Sequence, residues 1–319
     1  MGRRRFSGFR RLLGIGDDAA LWKPRSGSAA ILTCDWFLEG THFLRDKHPA
    51  NAVGWKSLAR AVSDVAAMGG FPACFLLSLA LPTSLTGRWL DQFLLGLRRA
   101  AKSFACPLVG GDTTRKEHVL INITVVGQVP AGKAVLRSGA RAGDVLFVSG
   151  RLGGAELGLQ LIRYSRKQLN PHDPLLRKHL YPQPRLALGH WLADKRLASA
   201  MMDISDGLST DLPRLCFASR LGARIDAQKL PKLQPSDVPT KLGRHGLDPL
   251  QLALDGGEDY ELLFTVPAKK RHLIPRSHNG AALTLIGEIT KKREIVLIEE
   301  NGHEHPFANR GWDPFQKTS

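Results

Sequence analysis

The residues of this chain that could do chemistry are carboxylates set among glycines and at the ends of apolar runs. Gly14-Ile15-Gly16-Asp17-Asp18 places two adjacent acids behind two glycines, which let a backbone take positive φ or approach a ligand closely. Adjacent acids repel, so the pair reads either as a solvated turn or as part of a cation site built from oxygen ligands. Comparable settings recur. Asp35 follows the apolar run Ala29–Cys34, and Gly110-Gly111-Asp112-Thr113-Thr114-Arg115 follows Pro107-Leu108-Val109. Asp203-Ile204-Ser205-Asp206-Gly207 follows Ala198–Met202, and Gly256-Gly257-Glu258-Asp259 precedes Leu262–Val266. Simpler readings stand beside each. Asp64 could pair with Arg60 along a helix, Ser205 or Asp206 could cap one, and His42 beside Phe43 could be structural. A cap accounts for one of the two acids in that turn but hardly for both. Asp18, Asp35, Asp64, Asp112, Asp203 and Asp206 come from five separated segments. Converging without cations they would repel by roughly several kcal/mol in a dry cleft. Together they imply several Mg²⁺ ions, which carboxylates usually hold on behalf of substrate phosphates.

Elements able to position these acids alternate along the chain. Pro49 to Met68 has a broad apolar face at helical spacing and stops at Gly69-Gly70. Strands are expected over Ala29–Cys34, with Asp35 at its end, and over Ala73–Leu81, Val119–Val129, Val145–Ser149, Ala198–Met202 and Leu262–Val266. Helices are expected from about Thr86 to Ala105 and over Leu186–Ala193, with Pro171 to Pro184 as a connecting region. Gly150-Arg151-Leu152-Gly153-Gly154 lacks the Gly-Lys-Ser/Thr of a P-loop and reads as a tight strand-to-helix turn. Gly143-Asp144 is a turn signal, and the domain change falls there, dividing residues 1–140 from 141–319.

Length and composition agree with two medium domains. The 319 residues are 43% hydrophobic with 32 glycines, which suits an α/β protein with many tight turns. No apolar run approaches a membrane span. Cys34, Cys74, Cys106 and Cys216 form no Cys-x-x-Cys pattern, which argues against a zinc site or disulfide framework and suits a reducing cytoplasm. Met1–Leu13 lacks the apolar core of an export signal, and Phe6 stands where myristoylation needs Ser or Thr. The net charge of +16 is carried in part by Arg3–Arg5, Arg163 to Lys167, Lys269–Arg271 and Lys291–Arg293. These clusters are scattered and lack interleaved aromatics, which disfavours nucleic acid as a partner. Attraction of small polyanionic substrates accounts for part of the charge.

At these residues the chain resembles the thiamine-monophosphate kinases. The matching segments are Gly14–Ala19, Asp35 with Gly40 and His42, Lys56–Gly69, Gly110–Arg115, Arg137–Gly139, Met202–Leu208, Gly257–Leu262 and Gly311-Trp312-Asp313. The resemblance implies an α/β (α+β), two-domain fold like that of aminoimidazole-ribonucleotide synthetase. Its N-terminal domain, residues 1–140, would bind ATP and Mg²⁺ and pair its sheet in a homodimer, with an α/β domain over 141–319. It implies γ-phosphoryl transfer from ATP to thiamine monophosphate, giving thiamine diphosphate. Carried over by position, Asp18, Thr33, Asp35, Asp64, Asp112, Asp203 and Asp206 would hold Mg²⁺. Cys34 stands where a hydroxyl residue is usual, so a metal contact there would use its backbone carbonyl. Gly111, Arg137 and Ser205 would contact ATP, and His42, Glu258 and Trp312 the thiamine substrate. Asp112, Asp35 and Arg137 are the expected catalytic groups. Asp255 and Pro314 also depart from the family's usual residues. The alternatives are another ATP-dependent synthetase of the same superfamily and a non-catalytic anion- or nucleic-acid-binding relative. The chain lacks the reactive Cys of selenophosphate synthetases, and it ends in Ser319 rather than the Cys of the hydrogenase-maturation relatives. A non-catalytic relative should have lost acids that this chain retains.

Overall fold

The computed structural model describes residues 12–165, 170–171, 173–239, 247–313 and 315. The expectations for Arg3–Arg5, Phe6, Arg166, Lys167 and Pro314 lie outside these residues. The chain forms two compact units, one from residues up to Val65 and Gly70–Ala134, the other from Ala66–Gly69 and Val135 onward.

In the first unit, β1 (Leu12–Leu13) and β2 (Leu21–Trp22) pair antiparallel and carry the loop with Asp17 and Asp18 between them. Strands β3 (Ser28–Leu38), β4 (Phe71–Leu81), β5 (Leu108–Arg115) and β6 (Leu120–Pro130) make a four-stranded sheet in the order β3-β6-β4-β5. The pairs β3–β6 and β6–β4 are antiparallel, and β4–β5 is parallel. Alternation sorts its side chains onto two faces. Phe37, Phe75, Leu77, Ile121, Ile123 and Val125 are buried on one face. Helix α1 (Ala50–Ala67) lies over it, with Val65 Cγ1 3.0 Å from where a Cβ on Gly127 would stand and the Arg60 guanidinium 5.3 Å from the Phe37 ring. A Cβ on Gly54 would meet the Phe93 carbonyl oxygen at 2.0 Å, and one on Gly96 the Asn51 carbonyl oxygen at 1.8 Å. Glycine at both positions lets α1 and α2 (Arg88–Ser103) touch backbone to backbone. The opposite sheet face leaves Leu32, Trp36 and Leu76 exposed at 72%, 55% and 36%.

The second unit is built on strands β7 (Val145–Ser149), β8 (Ala200–Ile204), β9 (Gly222–Asp226), β10 (Glu261–Val266), β11 (Ser277–His278), β12 (Ala281–Thr290), β13 (Ile295–Ile298) and β14 (Glu304–Pro306). The order is β14-β13-β9-β12-β7-β10-β8, with β11 beside β12. Helices α3 (Gly154–Tyr164), α4 (Pro174–Leu180), α5 (Leu186–Asp194), α6 (Leu208–Ser219) and α7 (Pro249–Asp255) complete it. Adjacent residues of the central strands feed different cores. Leu146, Val148, Met202 and Leu263 pack with Leu208, Leu212 and Leu215 of α6, while Phe147, Met201, Leu262 and Phe264 pack with Leu188 and Leu192 of α5. Strands β7, β8, β9 and β13 run one way and β10, β12 and β14 the other. The end of β8 and the start of β10 therefore meet at one end of the sheet.

Several sequence expectations need correction. β3 continues to Leu38, so Asp35 is within the strand and not at its end. β5 includes the whole Gly110–Arg115 motif, and β8 continues through Asp203 to Ile204. Within the expected connection from Pro171 to Pro184, Pro174–Leu180 is helical, started by Asp173, whose side chain accepts the Leu175 N–H. Neither Ser205 nor Asp206 caps α6; Gly207, at φ +103°, holds the cap position.

Candidate active site

In the first unit the acids come from four segments. Thr33 and Asp35 are two residues apart on β3 and share the face that α1 covers, and the Thr33 hydroxyl donates to Asp64 Oδ2. Cys34 faces the other way, its Sγ 3.2 Å from Asn122 Oδ1, so its thiol is turned from Thr33 and Asp35 and only its carbonyl remains for a metal contact. Asp112 is exposed and paired in register with Ser78 of β4. Gly111 before it has φ +145°, and a Cβ there would be 1.9 Å from the Leu77 carbonyl oxygen. Only glycine lets β5 run this close to β4 beside the acid. Asp18 is exposed in the β1–β2 loop, its N–H donating to Asp17 Oδ1 at 3.1 Å. His42 has a local task as well, since its Nδ1 accepts the Leu38 N–H at 3.1 Å and its ring lies against Phe37.

The second unit gathers the remaining candidates around the turn from β8 into α6. Three consecutive carbonyls of that turn each accept one N–H from another motif: Ile204 from Tyr260 at 2.9 Å, Ser205 from Glu258 at 2.7 Å, and Asp206 from Trp312 at 3.0 Å. Glu258 and Tyr260 sit at φ +66° and +50°, a region side chains other than glycine rarely adopt. The turn's own amides are held by Asp211, whose Oδ2 accepts the Ser205 and Asp206 N–H groups at 2.9 Å each. Burial pushes the Asp211 carboxyl up to about 6 although these bonds and Arg214 favour its charge. Arg214 Nη1 bridges Asp206 Oδ2 at 2.5 Å and Asp211 Oδ1 at 2.8 Å. Asp203 is buried at 3% exposure.

Behind this turn lies a charged scaffold. Asp259 accepts the Gly153 N–H at 2.6 Å and the Ala155 N–H at 3.0 Å, at the start of α3, and burial pushes it up to about 6. Glu261 is fully buried yet held below the usual glutamate range. Burial alone would raise it, but Lys178 and Arg185 outweigh that, with Ser149 Oγ donating at 2.6 Å. His179 Nδ1 lies 3.4 Å from Glu258 Oε2. A cavity of about 520 Å³ opens beside the turn, and Arg137, Thr210, Arg214, Phe217, Asn309 and Trp312 help to line it. Its size suits a small ligand, and it offers aromatic surface beside two guanidinium groups.

The structure thus ties Ser205, Asp206, Glu258 and Trp312 together through the backbone and puts Trp312 and Arg137 on one cavity. It joins Thr33 to Asp64. Among the described residues, no three His, Cys, Asp or Glu side chains are gathered closely enough to hold a metal ion by themselves. The donors present are hard oxygens, carboxylate and hydroxyl, which fit Mg²⁺ and not a softer metal. Sequence reasoning gave no role to Asp211 or Arg214, and to Asp259 and Glu261 none beyond membership of a glycine-supported acidic stretch. Asp259 and Glu261 lie inside the quoted Gly257–Leu262 motif, but Asp211 and Arg214 carry no signal beyond helical spacing from Asp206.

Family models match both units, "AIR synthase related protein, N-terminal domain" over residues 16–129 and the corresponding C-terminal domain over 141–300. The chain is 38% identical over 310 residues to the thiamine-monophosphate kinase of Escherichia coli K12, covering 95% of this chain and 92% of that protein. The crystal structure of thiamine-monophosphate kinase from Stenotrophomonas maltophilia superposes with a TM-score of 0.80 at 36% identity, over 93% of each chain. The structure of AaThiL complexed with AMPPCP and TMP superposes with a TM-score of 0.79 at 34% identity, over 92% of this chain and 89% of that one.

Proposed function

The chain belongs to the AIR synthase related family and, within it, to the thiamine-monophosphate kinases, and from that membership we propose that it transfers the γ-phosphoryl group of ATP to thiamine monophosphate. The observation that carries this reading is the near full-length likeness to AaThiL, whose structure is complexed with AMPPCP and TMP.

A terminal phosphate oxygen of thiamine monophosphate attacks the γ-phosphorus in line as the bond to the β–γ bridging oxygen breaks. The products are thiamine diphosphate and ADP. The second pKa of a phosphate monoester is about 6, so the acceptor is already largely dianionic at neutral pH and needs no protein base. The difficulty is to align two polyanions, which calls for positive charge and oriented donors rather than a nucleophilic side chain. Mg²⁺, when bound, neutralises the phosphates and holds their oxygens. Asp18, Thr33, Asp35, Asp64, Asp112, Asp203 and Asp206 are assigned to hold it, with the Cys34 carbonyl. Most carboxylate-bound Mg²⁺ is completed by water and substrate phosphate. Gly111, Arg137 and Ser205 are assigned to ATP, with Asp112, Asp35 and Arg137 nearest the transfer. Trp312, with its ring on the cavity, offers a face for the cationic thiazolium, Glu258 its counter-charge, and His42 a further contact.

We also assign residues 1–140 to nucleotide and metal binding and dimerisation, and 141–319 to an α/β domain. A homodimer is favoured because Leu32, Trp36 and Leu76 leave an apolar sheet face open to solvent. Four free cysteines suit a cytoplasmic enzyme, and no helix among the described residues is long and apolar enough to cross a membrane.

The test is incubation with ATP, thiamine monophosphate and MgCl₂, with chromatographic detection of thiamine diphosphate and ADP. Folded protein that makes neither would overturn the assignment. Asp112→Asn should abolish turnover with an unchanged melting curve; full activity would remove Asp112 from the metal site.

A further inference from the structure

The basic runs that look scattered in the sequence meet at one end of the second unit's sheet. Strand β10 ends at Val266 and β12 at Thr290, and both pair with the start of β7 through Val145. The turns that follow them are Lys269-Lys270-Arg271 and Lys291-Lys292-Arg293. With only β7 between β10 and β12, the two runs leave the sheet about 10 Å apart, two strand spacings. The neighbouring strands bring more charge to the same end. Arg220 precedes β9, Lys195 and Arg196 precede β8, and the Lys270 Nζ donates to the Arg196 carbonyl at 2.6 Å. Arg141 joins them, because the N–H of Gly143 in the same turn reaches the Ile289 carbonyl at 2.8 Å.

These cations have little to neutralise them. Among the described residues of this end, Lys195 alone makes an ion pair, a 3.8 Å contact to Asp194 with both side chains largely in solvent. Asp144 is buried and engaged by Ser199 and the Arg141 N–H, which leaves Glu288 and Glu294 as the other exposed acids. From β9 to β8 the patch spans about 19 Å, four strand spacings. It lies at the sheet end opposite Asp203, Asp206 and Glu258.

We propose that this end of the second unit binds the phosphodiester backbone of double-stranded nucleic acid, without reading its sequence. Its width matches a duplex, and repeated Lys and Arg at loop tips suit phosphates spaced along a strand. The turns that carry the two Lys-Lys-Arg runs contain no Phe, Tyr or Trp, so a single strand would find no stacking platform beside them. A membrane surface would reward an apolar anchor or an amphipathic helix beside the two Lys-Lys-Arg runs, and the turns after β10 and β12 supply only Leu273, 49% exposed.

The experiment is fluorescence anisotropy of the full chain with labelled RNA and DNA duplexes of about 20 base pairs, between ~50 and ~200 mM salt. Duplex should bind, and with about four phosphates engaged its affinity should fall roughly tenfold for each doubling of salt. The two duplexes distinguish an RNA from a DNA preference within the same chemistry. Replacing Lys291, Lys292 and Arg293 together with glutamine should weaken binding at least about tenfold at ~100 mM salt and flatten the salt slope. The same neutralisation of Arg98, Arg99 and Lys102, exposed on α2 of the first unit, should leave binding unchanged. Kinase turnover should be unaltered in both variants, which also reports that they fold. The proposal is overturned by absence of salt-sensitive duplex binding or by an equal loss in the α2 variant. Binding to phosphatidylserine vesicles but not to duplex, or to single strands in preference to duplex, would overturn it too.

Discussion

Replacing Glu261 with glutamine keeps the shape of the side chain and removes one buried charge that two cations depend on. The carboxylate accepts from Ser149 Oγ, from Arg185 Nε at 2.6 Å and Nη2 at 2.5 Å, and from Lys178 Nζ, while its own side chain has no exposure. Breaking a buried pair by removing one partner costs about 3–5 kcal/mol, because the other charge is left uncompensated. Lys178 and Arg185 retain 29% and 22% side-chain exposure, so water recovers part of that loss, and about 3 kcal/mol is expected. For a unit of this size the melting temperature should drop by roughly 6–12 °C, read by calorimetry and by urea unfolding. The pH dependence has a definite sign. Because the folded carboxyl is held below its usual range, its contribution is present above that range and lost as pH falls through the folded pKa. The difference between wild type and Glu261→Gln should therefore be flat at neutral pH and shrink in acid. A loss under about 1 kcal/mol, or a difference that grows in acid, would refute the account of Glu261 as the anchor of α4 and α5.

Asp259, two residues away, should behave with the opposite sign. Its folded pKa, raised by burial to about 6, means that the native protein takes up a proton between about pH 6 and the ordinary aspartate range near about 4. Wild type should gain up to about 3 kcal/mol relative to Asp259→Asn across that window on acidification; parallel stability curves would contradict the shift. Gly111→Ala would drive a Cβ to 1.9 Å from the Leu77 carbonyl oxygen at a φ that alanine resists. It should lower stability by about 1–3 kcal/mol and turnover by roughly 100-fold, since Asp112 moves with the strand. Normal kinetics in that variant would mean that β5 can shift freely. Trp36→Glu places a charge on the open sheet face, and sedimentation should show the proposed homodimer for wild type and monomer for the variant; an intact dimer in the variant would move the interface elsewhere.

The helix α1 was legible because a proline and two glycines bracket a continuous apolar face. The buried strands β7 and β10 were legible as short apolar runs. What local pattern misplaced were the acids themselves. Asp35 and Asp112 lie within β3 and β5, the two edge strands of the first sheet, where pairing on one side holds residues whose own preference is for turns. Helix α4 is too short for its spacing to register, and it is held by contacts from Lys178 and His179 to residues about 80 positions later. The role of Asp211 was invisible for a different reason: it depends on the curvature of the β8–α6 turn that its carboxylate grips. The basic runs could be counted from the sequence, but only the strand order shows that two of them leave the sheet side by side.

The conformations of Glu258 and Tyr260 bear on how this enzyme can change. Each stands where a side chain costs about 1–2 kcal/mol over glycine, and both point their N–H groups at the turn that bears Asp206. Drift towards glycine at 258 would relieve that cost but discard the carboxylate assigned to the thiamine ring. Selection for heat resistance and selection for turnover therefore pull this position in opposite directions. A screen for stability alone should enrich glycine or asparagine at 258 and yield well-folded proteins that handle their substrate poorly.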